Sequence, residues 1–239
     1  MIRADELLTP TIPPKQARSQ ARLERILDSA EITFALEGFE NASIAQIMTG
    51  ARSSVGIFYQ RFRSKEDLFE SVVTRFTQQS MTTVDSLLGV EKPTTRSAPK
   101  TIARVIPILV EVYRQKRGLL RAILLRASVD PKVHALAHRA EQHIEASLQQ
   151  LLFPKGTRSS KQRQLFRLGY QMLRSTLNTI TLFDVRQRAG LNLDDPDLSP
   201  QLTEAFLRIL AFKSSSPANR PRRPTRRVQM NHSQERRRT

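Results

Sequence analysis

Residues 43–65, SIAQIMTGARSSVGIFYQRFRSK, constrain this chain more than any other stretch, because they spell two helices too short to stand alone. Ser43 with Gln46 has the capping-box spacing, in which the hydroxyl takes the amide three residues on while the Gln side chain reaches back. The first helix therefore begins there, with Ile44, Ile47, Met48 and Ala51 on one face. Polar residues from Thr49 to Ser53 interrupt the apolar pattern. Ser53 or Ser54 can then cap a second helix through Val55, Gly56, Ile57, Phe58 and Tyr59. Each short helix has to bury its face on neighbours, which makes the stretch a helix-turn-helix inside a larger helical domain.

Arg52, Arg61, Arg63 and Lys65 follow one another with no acid between them. A short helix with Gly56 at its middle and cations at both ends suits the major groove, where the backbone comes close to base edges while the cations neutralise phosphates. The alternative is a solvated basic hairpin with no partner.

Ile47, Ala51, Ser54, Gly56, Tyr59 and Phe62, followed by the helix start Ser64-Lys65-Glu66, resemble the DNA-binding region of the tetracycline-repressor (TetR) family in order and spacing. The resemblance covers about 60 residues. Met48 stands where a small Ala is common, Arg52 where the turn Gly is common, and Ser53 where an apolar Val is common. An Arg at positive φ costs on the order of 1 kcal/mol, so either the turn is strained or Gly50 takes the left-handed position.

The resemblance implies an all-α, two-domain, homodimeric transcription regulator, most often a repressor that a small-molecule effector releases from a double-stranded operator with palindromic half-sites. It assigns Arg52, Val55, Gly56 and Ile57 to base edges, and Ser43, Ser54, Tyr59, Gln60 and Lys65 to phosphates. Arg18 and Arg22, one turn apart at the start of the preceding helix, can also touch a phosphate.

The fold class expected is a helix-turn-helix domain of three to four helices followed by a larger helical domain for ligand binding and dimerisation. Residues 1–15, with Pro10, Pro13 and Pro14, read as a disordered arm. The DNA-binding domain spans 16–76. Its first helix runs over 16–37 through Leu23, Ile26, Leu27, Ala30 and Phe34, ends at Gly38, and lets Phe39 fold back. Ser64 with Asp67 caps a helix carrying Leu68, Val72 and Phe76.

The larger domain, 77–212, follows a Pro- and Thr-rich connection at 89–99 and has helical patterns over 100–116, kinked at Pro107, and over 118–128, 131–152, 159–188 and 200–212. By the resemblance the last two pair with those of a second subunit, with Leu173, Leu177, Ile180, Leu202, Phe206 and Ile209 at the interface; an apolar stripe of this kind can equally line the domain's own core. Tyr113, Phe166, Tyr170, Phe183 and Asp184, with Arg121 or Arg126 for an anion, are candidates for a ligand cavity, against the alternative of plain core.

The formal charge of +17 divides as 0 over 1–15, 0 over 16–76, +9 over 77–212 and +8 over 213–239. The last segment is too polar to fold and reads as a disordered basic tail that anchors on DNA without reading sequence. With no cysteine there is no disulfide framework or thiolate, and no apolar run reaches the ~18–20 residues of a membrane span, so a cytoplasmic protein without a transmembrane segment is expected. No catalytic constellation stands out, and neither an enzyme nor a cofactor is expected. His134 and His138 have a metal-compatible spacing without a third ligand and read as surface residues, so no metal is assigned. Two rival functions remain: a DNA-binding protein of this fold controlled without a small ligand, and a peripheral membrane or RNA-binding protein that uses the basic tail.

Overall fold

The computed structural model describes residues 15–89, 98–153, 160–183 and 191–210. The expected arm before residue 15, the 90–97 connection, the Pro154–Gly156 stretch, Asp184 and the rest of the helix expected to 188, residues 211–212 and the expected basic tail lie outside them. Among the described residues there is no strand. The helices are α1 (Lys15–Asn41), α2 (Ile44–Gly50), α3 (Val55–Tyr59), α4 (Lys65–Gly89), α5 (Ala98–Gln115), α6 (Arg117–Ala127), α7 (Pro131–Leu152), α8 (Ser160–Phe183) and α9 (Leu198–Ile209).

Gly38 ends the regular part of α1 with φ 76° and ψ 174°, a conformation that L-residues avoid. The reversal returns Phe39 to the core, where it stacks near Phe34 at 6.0 Å and meets Phe69 edge-on at 5.1 Å. Phe34 and Phe69 close the triangle at 4.8 Å. Around these rings Ile26, Ala30, Ile47, Phe58, Leu68 and Val72 are fully buried. Ser43 caps α2 with the complete capping box. Pro107 does not end α5, and Asp130 caps α7 by accepting from the amides of Lys132 and Val133 ahead of Pro131.

The first core is not confined to α1–α4. Leu119, Ala122 and Ile123 of α6 and Val133 of α7 are buried in it, and α4 runs on past residue 76 without a break. At the crossing of α6 on α1, a Cβ at Gly118 would stand 2.2 Å from the Ala35 carbonyl oxygen, so only glycine lets the two backbones meet. A second core joins Ile102, Ile106 and Val110 of α5 to Phe166, Leu173 and Leu177 of α8 and Phe206 of α9. The acidic loop before α9 is tied down as well: Arg114 Nε donates to the Leu193 carbonyl at 2.8 Å, and Arg117 pairs with Asp194 at 2.6 Å.

Candidate nucleic-acid interface and cavity

The α2–α3 turn shows which of the two sequence alternatives holds. Arg52 takes φ 50°, the only positive φ of a non-glycine among the described residues, while Gly50 stays helical. The Arg52 amide donates to the Thr49 carbonyl at 3.0 Å and the Ser53 amide to the Met48 carbonyl at 2.9 Å. These two bonds make a Schellman motif with Arg52 in the position that glycine usually holds. Gly50 serves a different purpose. A Cβ there would sit 2.3 Å from Ser29 Oγ, which donates to the Ile47 carbonyl at 2.7 Å and fastens α2 to α1.

Phe58, fully buried, anchors α3 and turns Val55, Gly56, Tyr59 and Gln60 outward. Around a Cβ added at Gly56 there is nothing nearer than Ser54 Oγ at 3.8 Å, so no contact within the chain requires that glycine. Ser54 Oγ makes no cap bond to α3. Ile57, expected at base edges, is half-buried against the first core and presents less of itself than Val55.

Two expected phosphate contacts are corrected. Lys65 Nζ donates to the carbonyls of Phe39 at 2.8 Å, Glu40 at 3.1 Å and Ala42 at 3.1 Å, and lies 4.6 Å from the centre of the Phe39 ring. All three ammonium donors are thus spent on the reversal after Gly38, and none remains for a phosphate. Ser43 gives both its hydroxyl and its amide to Gln46 Oε1, at 2.8 and 3.0 Å, and has no donor left either. Ser54, Tyr59 and Gln60 keep exposed side chains. Arg18 is exposed and Arg22 half-buried at the start of α1. Arg61 bonds the Ser19 carbonyl at 3.0 Å and the Ser19 hydroxyl, tying the end of α3 to that same helix start. Nothing in the sequence signals this tie, because the partner lies 42 residues away.

Behind the reading surface, Arg75 of α4 pairs with Asp28 at 2.7 Å and Glu31 at 2.8 Å on α1, with Glu24 at 3.4 Å. Burial disfavours the charge, but the bonds to Asp28 and Glu31 outweigh it and hold the guanidinium more firmly protonated than usual. The other oxygen of Glu31 receives Lys116 Nζ at 2.6 Å. Lys116 thereby joins the reading unit to the larger helices. Arg126 of α6 adds a second join, 4.2 Å over the Phe39 ring.

Lys116 also lines a cavity of about 300 Å³ between α4, α5, α6, α7, α8 and α9. Its walls are mainly apolar, including Ile102, Val105, Leu109, Leu120, Ile144 and Phe166. Of the candidate ligand contacts, Tyr113, Phe166 and Tyr170 line it. Two others are corrected: Arg121 is exposed and outside the cavity, and Phe183 is 73% exposed at the end of α8. The Tyr113 hydroxyl donates to Asn178 Oδ1 at 2.8 Å, and Arg174 pairs with Glu141. Burial pushes the Tyr113 and Tyr170 phenols above their ordinary range, so both are neutral hydroxyls at physiological pH.

Five of the six expected interface residues are corrected in the same way, while Ile209 stays half-buried. Leu173, Leu177, Ile180 and Phe206 are buried within the subunit's own second core, and Leu202 packs against it. Beside that buried face, Leu168, Met172 and Phe183 stand 54%, 51% and 73% exposed. His134 and His138 are exposed and stack at 5.8 Å, and among the described residues no three potential ligands come together to hold a metal ion. None of the described helices is long and apolar enough to cross a membrane.

Residues 26–72 match the family described as bacterial regulatory proteins, tetR family. No curated protein matches the chain. Among solved structures, a chain from Mesorhizobium loti described as a TetR-family transcriptional regulator is similar with a TM-score of 0.65 at 21% identity, over 81% of this chain and 97% of that one. A TetR-family transcriptional regulator from Streptomyces coelicolor gives 0.60 at 16% identity, over 79% and 82%. The transcriptional regulator FadR from Bacillus subtilis, solved with stearoyl-CoA, gives 0.56 at 18% identity, over 77% and 96%. At these identities the likeness is one of fold.

Proposed function

Since this chain carries the DNA-binding domain of the tetR family of bacterial regulatory proteins, we propose that it is a homodimeric repressor released from a palindromic operator by a small molecule. The observation that carries the release step is the double position of Lys116, which lines the cavity and pairs with Glu31 of α1. Gly118, two residues on, lies on the Ala35 backbone with no side chain between. A ligand that displaces the start of α6 therefore pushes directly on the helix that supports α2 and α3. In a dimer, that push alters the spacing of two reading heads that must match half-sites about 34–36 Å apart.

Each subunit lays α3 in a major groove, with Arg52, Val55 and Gly56 toward base edges and Ser54, Tyr59, Gln60, Arg18 and Arg22 toward phosphates. The absence of any internal need for glycine at position 56 supports this reading, since a bare backbone there serves an approach from outside. The subunits meet through the outer face of α8, where Leu168, Met172, Thr176 and Phe183 recur at helical spacing, joined by Ala205 and Ile209 of α9.

The test begins with an operator selected from random duplexes. An effector found by screening should lower wild-type affinity for it at least tenfold, and a Lys116→Met, Glu31→Gln double variant should bind the operator and the effector while losing most of that response. A double variant that responds like the wild type would remove the junction from the mechanism. Failure of any compound to change operator binding would favour control without a small ligand.

A further inference from the structure

The chemistry of the cavity narrows what it accepts. Both cations that line it are already neutralised, Arg174 by Glu141 and Lys116 by Glu31. An anionic ligand would have to break one of these pairs: taking Arg174 strips Glu141 of its partner, and taking Lys116 leaves Glu31 on Arg75 alone, so either choice carries a cost. Polar groups run down one face of α8 at Tyr170, Arg174 and Asn178, spaced i, i+4, i+8. Tyr170 is nearly fully buried, and its hydroxyl has no hydrogen-bond partner among the described residues. Asn178 accepts from Tyr113 through Oδ1, which leaves its amide N–H groups as donors with no partner among the described residues. Two donors with no partner in the wall of a mainly apolar chamber favour an acceptor on the ligand, which would complete the hydrogen bonds that the wall leaves open.

We propose that the cavity takes a neutral, largely apolar molecule bearing an oxygen acceptor such as a carbonyl, held by the Tyr170 hydroxyl, and disfavours acids and acyl chains linked to a nucleotide. At about 300 Å³ it sits at the small end of ligand pockets. A single chain or ring system of modest size fills it. Burial, which keeps the Tyr170 phenol protonated, preserves its capacity to donate across the physiological range.

This inference rests on the effector reading only for its biological meaning, and it is tested by binding alone. The probes are decan-2-one, decanoate and decanoyl-CoA, matched in chain length and differing in charge, titrated calorimetrically into the full-length protein. Decan-2-one should bind saturably and at least tenfold more tightly than either anion. Tyr170→Phe should weaken it three- to tenfold and leave the melting temperature nearly unchanged, and Val105→Phe, which fills the chamber, should abolish binding. Tighter binding of decanoate or decanoyl-CoA, saturable binding of none of the three, or an unchanged affinity in Tyr170→Phe would overturn the proposal. Selective binding of decan-2-one with no effect on operator affinity would sustain it while removing the effector-release reading.

Discussion

Arg52 shows how a single backbone angle divides stability from recognition. Its left-handed φ of 50° carries roughly 1 kcal/mol of strain that glycine would relieve, and its side chain projects from the turn that precedes α3. Arg52→Gly should raise unfolding free energy by about 1 kcal/mol in urea titrations and at the same time reduce operator affinity. A variant that gains stability with full affinity would take Arg52 out of the DNA interface. Lys65 divides the other way. With its ammonium bonded to three carbonyls, Lys65→Ala should cost about 1–3 kcal/mol of stability, while the salt dependence of binding to random DNA stays as in the wild type. The motif around Lys65 was legible in the sequence, but its role was not. Motif spacing says that a cation stands at a helix start, and only the folded reversal after Gly38 brings carbonyls within its reach.

At the level of elements, the sequence located helices well and faces poorly. The bounds of α7 coincide with the pattern read from residues alone, since Asp130 and Pro131 fix its start and the apolar period carries it to Leu152. For α8 the same periodicity picked out Leu173, Leu177 and Ile180, and these fill the subunit's interior because that face is the more apolar. Leu168, Met172, Thr176 and Phe183 form a second, outward stripe, which periodicity alone does not separate from the buried one. The two faces make opposite forecasts. Met172→Asp should leave the melting temperature within a few degrees of wild type and yield monomers by sedimentation at micromolar concentration. Leu177→Asp should unfold the chain, because the carboxylate would be buried without a partner. A dimeric Met172→Asp would place the subunit contact elsewhere.

For the molecule as a whole, residue patterns gave the division into a reading unit and a larger helical unit, but they could not show how far the two interpenetrate. A boundary drawn at residue 76 falls inside α4, and Leu119, Ala122, Ile123 and Val133 complete the first core from beyond it. Each buried aliphatic side chain is worth about 1.5–3 kcal/mol, against a total stability of about 5–15 kcal/mol for a typical domain. A fragment of residues 1–89 should therefore fail to melt cooperatively, whereas the full chain should unfold in one transition by circular dichroism. A sharp melt of the fragment would show that the reading unit is self-sufficient. The shared core also bears on how such regulators can diversify. Recombination at the connection between α4 and α5 would separate a head from residues that complete its own interior, so a transplanted head would arrive with a hole in it. New pairings of operator and effector are then reached more readily by point changes on α3 and in the cavity wall than by exchanging whole heads, unless α6 and the start of α7 travel with them.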